Sequence, residues 1–123
     1  MIEKKRVGER VKHRILLAGC GEMANRWLEY VTNRDNAEIV ALVDIHQEAA
    51  KNKAKQYDLA VPIFTSLEQA ILKTHPTVVL DVTIPAAHKE MTITALKNGC
   101  HVFGEKPMAE SLEDAKEVVR VAE

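Results

Sequence analysis

The sequence has little of what marks the more specialised protein classes. It contains only two cysteines, Cys20 and Cys100, which lie eighty positions apart and form no metal motif. We interpret them as reduced thiols and expect a cytoplasmic protein. Because no apolar run approaches the roughly 18 residues of a membrane span, and none follows the basic residues near Met1 as in a secretory signal, we expect no membrane partner.

The sequence also lacks an excess of positive or negative charge. The chain carries 17 basic and 18 acidic residues, a net charge of −1, and apolar residues make up 46% of it, which is an ordinary globular composition. The first twelve residues hold five positive and two negative charges, including the run Lys4–Arg6. A solvated leader over residues 1–12 is favoured there over a small nucleic-acid or membrane patch. No basic stripe follows, so we expect no nucleic-acid partner.

The remaining residues, 13–123, show strand and helix patterns in strict alternation, and they form one predicted domain. Short apolar runs rich in β-branched residues predict strands buried on both faces, as in a parallel sheet. The predicted strands are residues 13–18, 38–43, 61–64, 77–82 and 101–103.

Helix signals fill the intervals between these strands. Ser66 with Gln69 forms a capping box, and Pro85 and Gly99 stand where a helix would begin and end. Ser111 opens the last predicted helix, and two apolar stripes at helical spacing consist of residues 50, 54 and 57 and of residues 115, 118, 119 and 122. The order βαβαβαβαβα predicts an α/β fold, a doubly wound parallel sheet of Rossmann type. A six-stranded sheet of this type needs one more strand, so we expect the chain to lack it.

A glycine-rich segment follows the first predicted strand. Gly19, Gly21 and Ala24 give the pattern G-x-G-x-x-A, an accepted form of the dinucleotide-binding fingerprint. Gly19 allows a sharp turn off the strand, Gly21 allows a pyrophosphate to approach the backbone, and Ala24 allows the helix to pack on the sheet. The helix N-terminus would then face the pyrophosphate. The alternative is a glycine-rich turn that binds nothing.

An acid stands at the end of the second predicted strand. Asp44 lies twenty residues beyond Ala24, where a carboxylate would accept hydrogen bonds from the adenosine ribose. An acid there repels a 2′-phosphate, and no arginine follows it, so NAD is favoured over NADP, although His46 could contact that phosphate. Asp44 could also act as a helix N-cap. A ribose-binding acid after a glycine loop would equally suit S-adenosylmethionine.

The second half of the chain carries a family resemblance. Thr83-Ile84-Pro85 is followed by His88, and the segment Gly99–Gly104 leads into Glu105-Lys106-Pro107. With the glycine loop and Asp44, these residues resemble the glucose–fructose oxidoreductase and inositol dehydrogenase family (Gfo/Idh/MocA) from about Arg14 onward. The resemblance implies a two-domain enzyme, with an N-terminal Rossmann domain for NAD(P) and a C-terminal domain for a small-molecule substrate.

The same resemblance implies a role for each matching residue. The pyrophosphate would be lined by Gly19, Gly21, Glu22 and Met23, and the adenosine ribose by Asp44. The wall across the sheet would consist of Thr83, Ile84, Pro85 and His88. Lys106 would point at the nicotinamide and the reacting carbon, with Glu105 beside it. The family usually has proline directly after the threonine, so Ile84 is a departure at this wall.

Two of these residues can also be interpreted without the family resemblance. Lys106 follows the fifth predicted strand, where ligands bind in open α/β sheets, and an ammonium there could polarise a substrate hydroxyl or carbonyl during hydride transfer. It could instead be a surface lysine paired with Glu105. His88 lies in the first turn of a helix and could contact the cofactor or only tie that turn to the preceding loop.

The predicted function is therefore hydride transfer between a nicotinamide and a hydroxyl-bearing carbon of a sugar or cyclitol. The alternative is a non-catalytic NAD(P)-binding sensor. The family's second domain supplies a catalytic histidine, so we expect this chain alone to bind cofactor without turnover. We expect no metal, because no histidines stand at ligand spacing. An uncovered fifth strand would favour self-association, so we expect a homo-oligomer.

Overall fold

A computed structural model describes residues 12–104 and 111–123. Helices and strands alternate through these ranges, as the sequence patterns predict. The strands are β1 (His13–Ala18), β2 (Ala37–Val43), β3 (Ile63–Phe64), β4 (Val78–Asp81) and β5 (His101–Gly104). The helices are α1 (Ala24–Thr32), α2 (Gln47–Gln56), α3 (Leu67–Thr74), α4 (Pro85–Lys97) and α5 (Leu112–Ala122).

The strands form one sheet in the order β3-β2-β1-β4-β5, and every neighbouring pair is parallel. The predicted Rossmann-type fold is thus confirmed. Strand β1 lies in the middle, and the chain extends the sheet to one side of it through β2 and to the other through β4. This reversal of strand order creates a crevice at the carboxyl ends of β1 and β4, where open α/β sheets bind ligands.

The sheet separates two apolar layers, because successive side chains of a strand point to opposite faces. Ile15 and Leu17 of β1 pack with buried residues of α1 and α2, whereas Leu16 and Ala18 pack with those of α3 and α4. The side chains of Leu16, Leu17 and Ala18 have no exposed area, as expected of a central strand. Helices on both faces therefore enclose β1 at the centre of the sheet.

The predicted helix ends are confirmed by the side chains that cap them. Ser66 Oγ accepts a hydrogen bond from the backbone N–H of Gln69 at 3.3 Å, and Ser111 Oγ accepts one from Asp114 at 3.2 Å. Helix α4 begins at Pro85, and Gly99 follows its last turn with a φ of +80°, a conformation that favours glycine.

The pairing of β1 with β2 contains one irregularity. Ile15 pairs with Ile39, but the next residue of β1, Leu16, pairs with Ala41. One extra residue of β2, Val40, is thus accommodated between them, as in a β-bulge. Regular pairing resumes from there, and Ala18 pairs with Val43. The end of β2 therefore stays level with the end of β1.

Two sequence-based expectations need correction. Strand β3 spans only Ile63–Phe64 rather than residues 61–64, because β2 offers it only Leu42 and Val43 as partners. Within the stripe predicted for α5, Val118 is buried but Val119 is 46% exposed, because this helix packs beside α4 at the edge of the sheet. No helix within the described ranges combines the length and apolar character that crossing a membrane would require.

Candidate cofactor site

Three loops converge at the carboxyl edge of the sheet. They follow β1 (residues 19–23), β2 (from Asp44) and β4 (residues 82–84). Hydrogen bonds and close backbone contacts link the first loop to each of the other two. The assigned site residues that these loops carry thus lie side by side, namely Gly19, Gly21, Glu22, Met23, Asp44, Thr83 and Ile84, whereas Pro85 and His88 follow in α4.

Position 19 requires glycine for two reasons, its backbone conformation and the lack of space for a side chain. Its φ is +97°, in the region that residues with side chains rarely adopt. A Cβ at this position would lie 2.5 Å from the carbonyl oxygen of Val82 and 2.8 Å from the backbone nitrogen of Thr83. The glycine loop therefore lies directly against the loop after β4.

The rest of the glycine loop leaves three backbone N–H groups without an acceptor among the described residues. The N–H groups of Ala24 and Asn25 donate to the carbonyls of Gly21 and Glu22, each at 3.1 Å. Within the described part of the chain, the N–H groups of Gly21, Glu22 and Met23 donate to no protein acceptor. These three donors, exposed ahead of α1, together with the positive end of its dipole, form an arrangement that suits a phosphate.

The carboxylate of Asp44 is held in place by two backbone donors. Its Oδ2 accepts a hydrogen bond from Cys20 N, and its Oδ1 accepts one from His46 N, both at 2.8 Å. The N-cap of α2 is His46, so the alternative of Asp44 as that cap is wrong. The first of these bonds ties the end of β2 to the glycine loop. A half-exposed negative charge therefore stands beside the loop in a fixed orientation.

The Cys20 thiol, inside the glycine loop, is buried. Burial raises its pKa to about 12, and the charge of Asp44 acts in the same direction, against a smaller effect of Lys53. The thiol is therefore protonated at neutral pH and points away from the crevice, donating toward the carbonyl of Val43. A buried and protonated thiol is a poor nucleophile.

The burial of Cys20 predicts that its thiol reacts slowly in the folded chain. In a Cys100→Ala variant, where Cys20 is the one remaining thiol, we expect Ellman's reagent at pH 8 to modify the folded chain at least about a hundredfold more slowly than the urea-unfolded chain. The raised pKa keeps the thiolate fraction low in the fold, whereas unfolding restores an ordinary thiol. Equal rates for the two forms would contradict the buried position.

A second polar cluster holds the loop after β4. Asp81, at the end of β4, is 1% exposed, and its Oδ1 accepts hydrogen bonds from both the backbone N–H (3.1 Å) and the hydroxyl of Thr83. Its Oδ2 accepts a longer bond of 3.4 Å from Thr92 Oγ1. His88, 2% exposed, approaches the Thr83 carbonyl through Nε2 at 2.6 Å. The His88 ring thus ties the first turn of α4 to this loop.

Several apolar side chains surround the crevice. Met23, Ile45 and Ile84 are 45%, 73% and 69% exposed, one from each of the three loops. Exposed apolar groups at a ligand crevice can cover the flat faces of a nucleotide. Pro85 begins α4 next to Ile84. The assignments of Glu105 and Lys106 fall outside the described residues.

Sequence reasoning missed Asp81. The signal was present, because an acid within the apolar run Val78–Val82 has to find hydrogen-bond partners when the strand is buried. The partners themselves, Thr83 and Thr92, could not be read from the pattern. Ile45 was also missed, since an exposed apolar residue after a strand has no periodicity of its own.

Together, the parallel sheet, the glycine loop and the fixed acid define a dinucleotide-binding domain of Rossmann type. Residues 13–123 match the family described as "Oxidoreductase family, NAD-binding Rossmann fold", named GFO_IDH_MocA. The chain therefore belongs to the Gfo/Idh/MocA family, and the resemblance seen in the sequence is confirmed.

Individual relatives agree with this assignment. The chain is 32% identical over 110 residues to D-glucoside 3-dehydrogenase of Escherichia coli K12, an alignment that covers 89% of this chain and 31% of that enzyme. The structure of WlbA dehydrogenase from Bordetella pertussis, in complex with NADH and UDP-GlcNAcA, matches with a TM-score of 0.84 and 28% identity over 90% of this chain and 34% of that one. Myo-inositol dehydrogenase from Lactobacillus casei, in complex with NAD(H) and myo-inositol, matches with a TM-score of 0.85 and 28% identity over 90% and 33%. The chain thus spans about a third of the length of these relatives.

Proposed function

We propose that this chain is the cofactor-binding domain of an oxidoreductase that transfers a hydride between NAD and a hydroxyl-bearing carbon of a sugar or cyclitol. The observation that carries the proposal is the Asp44 carboxylate fixed by Cys20 N beside three N–H groups of the glycine loop that donate to no acceptor in the described ranges. A dinucleotide needs acceptors for its ribose hydroxyls next to donors for its pyrophosphate, and this crevice offers both.

In this proposal the cofactor lies across the carboxyl edge of the sheet. Gly19, Gly21, Glu22 and Met23 surround the pyrophosphate, and Asp44 binds the adenosine ribose. The nicotinamide half lies beside Thr83, Ile84 and Pro85, which follow β4. His88 supports this loop through its hydrogen bond to the Thr83 carbonyl. We assign Glu105 and Lys106 to the nicotinamide side, with Lys106 as the catalytic group that polarises the reacting oxygen.

The geometry of Asp44 also favours NAD over NADP. Both oxygens of its carboxylate are engaged by backbone N–H groups, so the charge cannot turn away from an incoming 2′-phosphate. The N–H of His46 is already used by the same carboxylate and cannot bind that phosphate. A fixed negative charge at this point repels a second one.

The substrate and the partners belong to the proposal as well. Relatives of the chain are named as glucoside and inositol dehydrogenases, and one solved structure holds NAD(H) with myo-inositol, which supports a polyhydroxylated small-molecule substrate. We propose that a further domain binds the substrate and that residues 13–123 alone do not turn it over. We also propose that residues 1–12 are a leader. A homo-oligomer in the cytoplasm, with both cysteines reduced, completes the proposal.

Calorimetric titration of the chain with NADH and, separately, with S-adenosylmethionine tests the class of cofactor. We expect NADH to bind and S-adenosylmethionine to show no heat of binding at the same concentrations, because only NADH carries a pyrophosphate for the free N–H groups of the loop. Preferential binding of S-adenosylmethionine would replace the proposal with a methyltransferase-like site. Binding of neither would leave the glycine loop as a turn.

A further inference from the structure

The hydrogen bonds around Thr83 restrict what its hydroxyl can offer to a ligand. Oδ1 of Asp81 accepts two hydrogen bonds from Thr83, one from its backbone N–H and one from its hydroxyl. The hydroxyl of Thr83 is thus the donor in the second bond. Its single proton points inward, and only its lone pairs remain for a ligand.

The backbone of Thr83 is restrained in the same way. Its N–H is used by Asp81, and its carbonyl accepts a hydrogen bond from Nε2 of the buried His88, because a carbonyl can only accept. With its N–H and its hydroxyl proton both engaged, Thr83 is half-exposed at the crevice with no donor left, and its hydroxyl oxygen is the acceptor on its side chain. The loop therefore presents a fixed acceptor.

The position of this acceptor follows from the contact with the glycine loop. The backbone nitrogen of Thr83 lies 2.8 Å from the point that a Cβ of Gly19 would occupy, on the side of β1 opposite to Asp44. If the adenosine ribose is at Asp44 and the pyrophosphate at the loop, the next group along a dinucleotide is its second ribose. The hydrogen-bond donors of that ribose are its 2′ and 3′ hydroxyls.

We infer that Asp81 is a positioning residue that makes Thr83 Oγ1 the acceptor for a hydroxyl of the nicotinamide-side ribose. This inference rests on the proposed function. Asp81 touches no cofactor itself and acts through Thr83. A neutral apolar residue at the same position would leave the Thr83 hydroxyl free to rotate, and its proton would then compete with the donor of the ribose.

Two probes separate the second ribose from the rest of the cofactor. ADP carries adenosine and pyrophosphate, and ADP-ribose adds the second ribose. In the unsubstituted chain we expect ADP-ribose to bind more tightly than ADP by about tenfold, the worth of one well-made hydrogen bond and its contacts. Asp81→Leu should abolish this advantage and leave the affinity for ADP unchanged. Asp81→Asn is the matched control, because its amide oxygen still accepts from Thr83, and it should keep the advantage.

A double-mutant cycle shows whether Asp81 acts through the hydroxyl. Thr83→Val removes that hydroxyl and should also abolish the advantage of ADP-ribose, whereas Thr83→Ser should retain most of it. In the Thr83→Val background, Asp81→Leu should cause no further loss, since the group on which it acts is gone.

Four results would overturn the inference, one of them by way of the proposed function on which it rests. An equal loss of ADP and ADP-ribose affinity in Asp81→Leu would show that Asp81 only supports the fold. A further selective loss of ADP-ribose in the Thr83→Val background would show that it acts by another route. If the unsubstituted chain binds neither ADP nor ADP-ribose, the proposed function itself fails. Normal ADP binding without an advantage for ADP-ribose would reject the Thr83 acceptor alone.

Discussion

Substituting Gly19 with alanine is expected to destabilise the chain by about 2–4 kcal/mol and to abolish cofactor binding with it. A positive φ costs an alanine about 1–2 kcal/mol, and here the new methyl group would also collide with the backbone of Val82, 2.5 Å away. Relief would require the glycine loop and the loop after β4 to separate. The free energy of unfolding, measured from urea titration, gives the size of the effect.

Gly21→Ala is the matched control for this change. A Cβ at Gly21 meets no protein atom within 4 Å, and its φ is not positive, so the stability should change by less than about 0.5 kcal/mol. The same methyl group would, however, occupy the space where the pyrophosphate approaches the backbone, and NADH affinity should fall at least about tenfold. A large loss of stability in Gly21→Ala, or undiminished NADH binding, would contradict the assignment of the two glycines.

Replacing Asp44 with alanine is expected to remove the chain's ability to distinguish NADH from NADPH. The unsubstituted chain should favour NADH by at least about tenfold, since the fixed carboxylate accepts from the ribose and repels the 2′-phosphate. The variant should lose about tenfold or more in NADH affinity and little or none in NADPH affinity. Calorimetric titration with both nucleotides measures the four affinities.

Asp35→Ala controls for the change in net charge. Asp35 is an exposed acid between α1 and β2, away from the crevice, and its removal alters the charge of the chain by the same amount. We expect it to leave the ratio of NADH to NADPH affinity within about twofold. If Asp35→Ala shifts that ratio as much as Asp44→Ala, the selectivity comes from overall charge rather than from the ribose contact.

The sequence predicted those features of the fold that depend on local pattern. Alternating apolar runs and helix signals were enough for the order of elements, and Ser66, Ser111 and Gly99 marked helix ends because capping is a matter of neighbouring residues. The glycine loop was recognisable for the same reason. The length of strand β3 was overestimated, because it depends on how many residues of β2 pair with β3. Those residues of β2 lie about twenty positions earlier in the chain.

The site was predicted less completely than the fold. Residue type and position after a strand were enough to select Asp44, since the carboxyl ends of parallel strands share one edge, whereas Thr83 was selected only through the family resemblance. The bond from Cys20 N to Asp44, and the hold of Asp81 on Thr83, depend on side-chain rotamers that no spacing encodes. The close contact of Gly19 with the backbone of Val82 could not be predicted either, because it depends on β1 and β4 being neighbours in the sheet.

The irregularity in β2 bears on what places Asp44 beside the glycine loop. Asp44 lies twenty positions beyond Ala24, and this count includes Val40, the residue that the pairing with β1 skips. A strand that paired with β1 without interruption would reach the same place in space with one residue fewer. The position of Asp44 is therefore set by where β2 ends beside β1, and not by a fixed number of residues after the glycine loop.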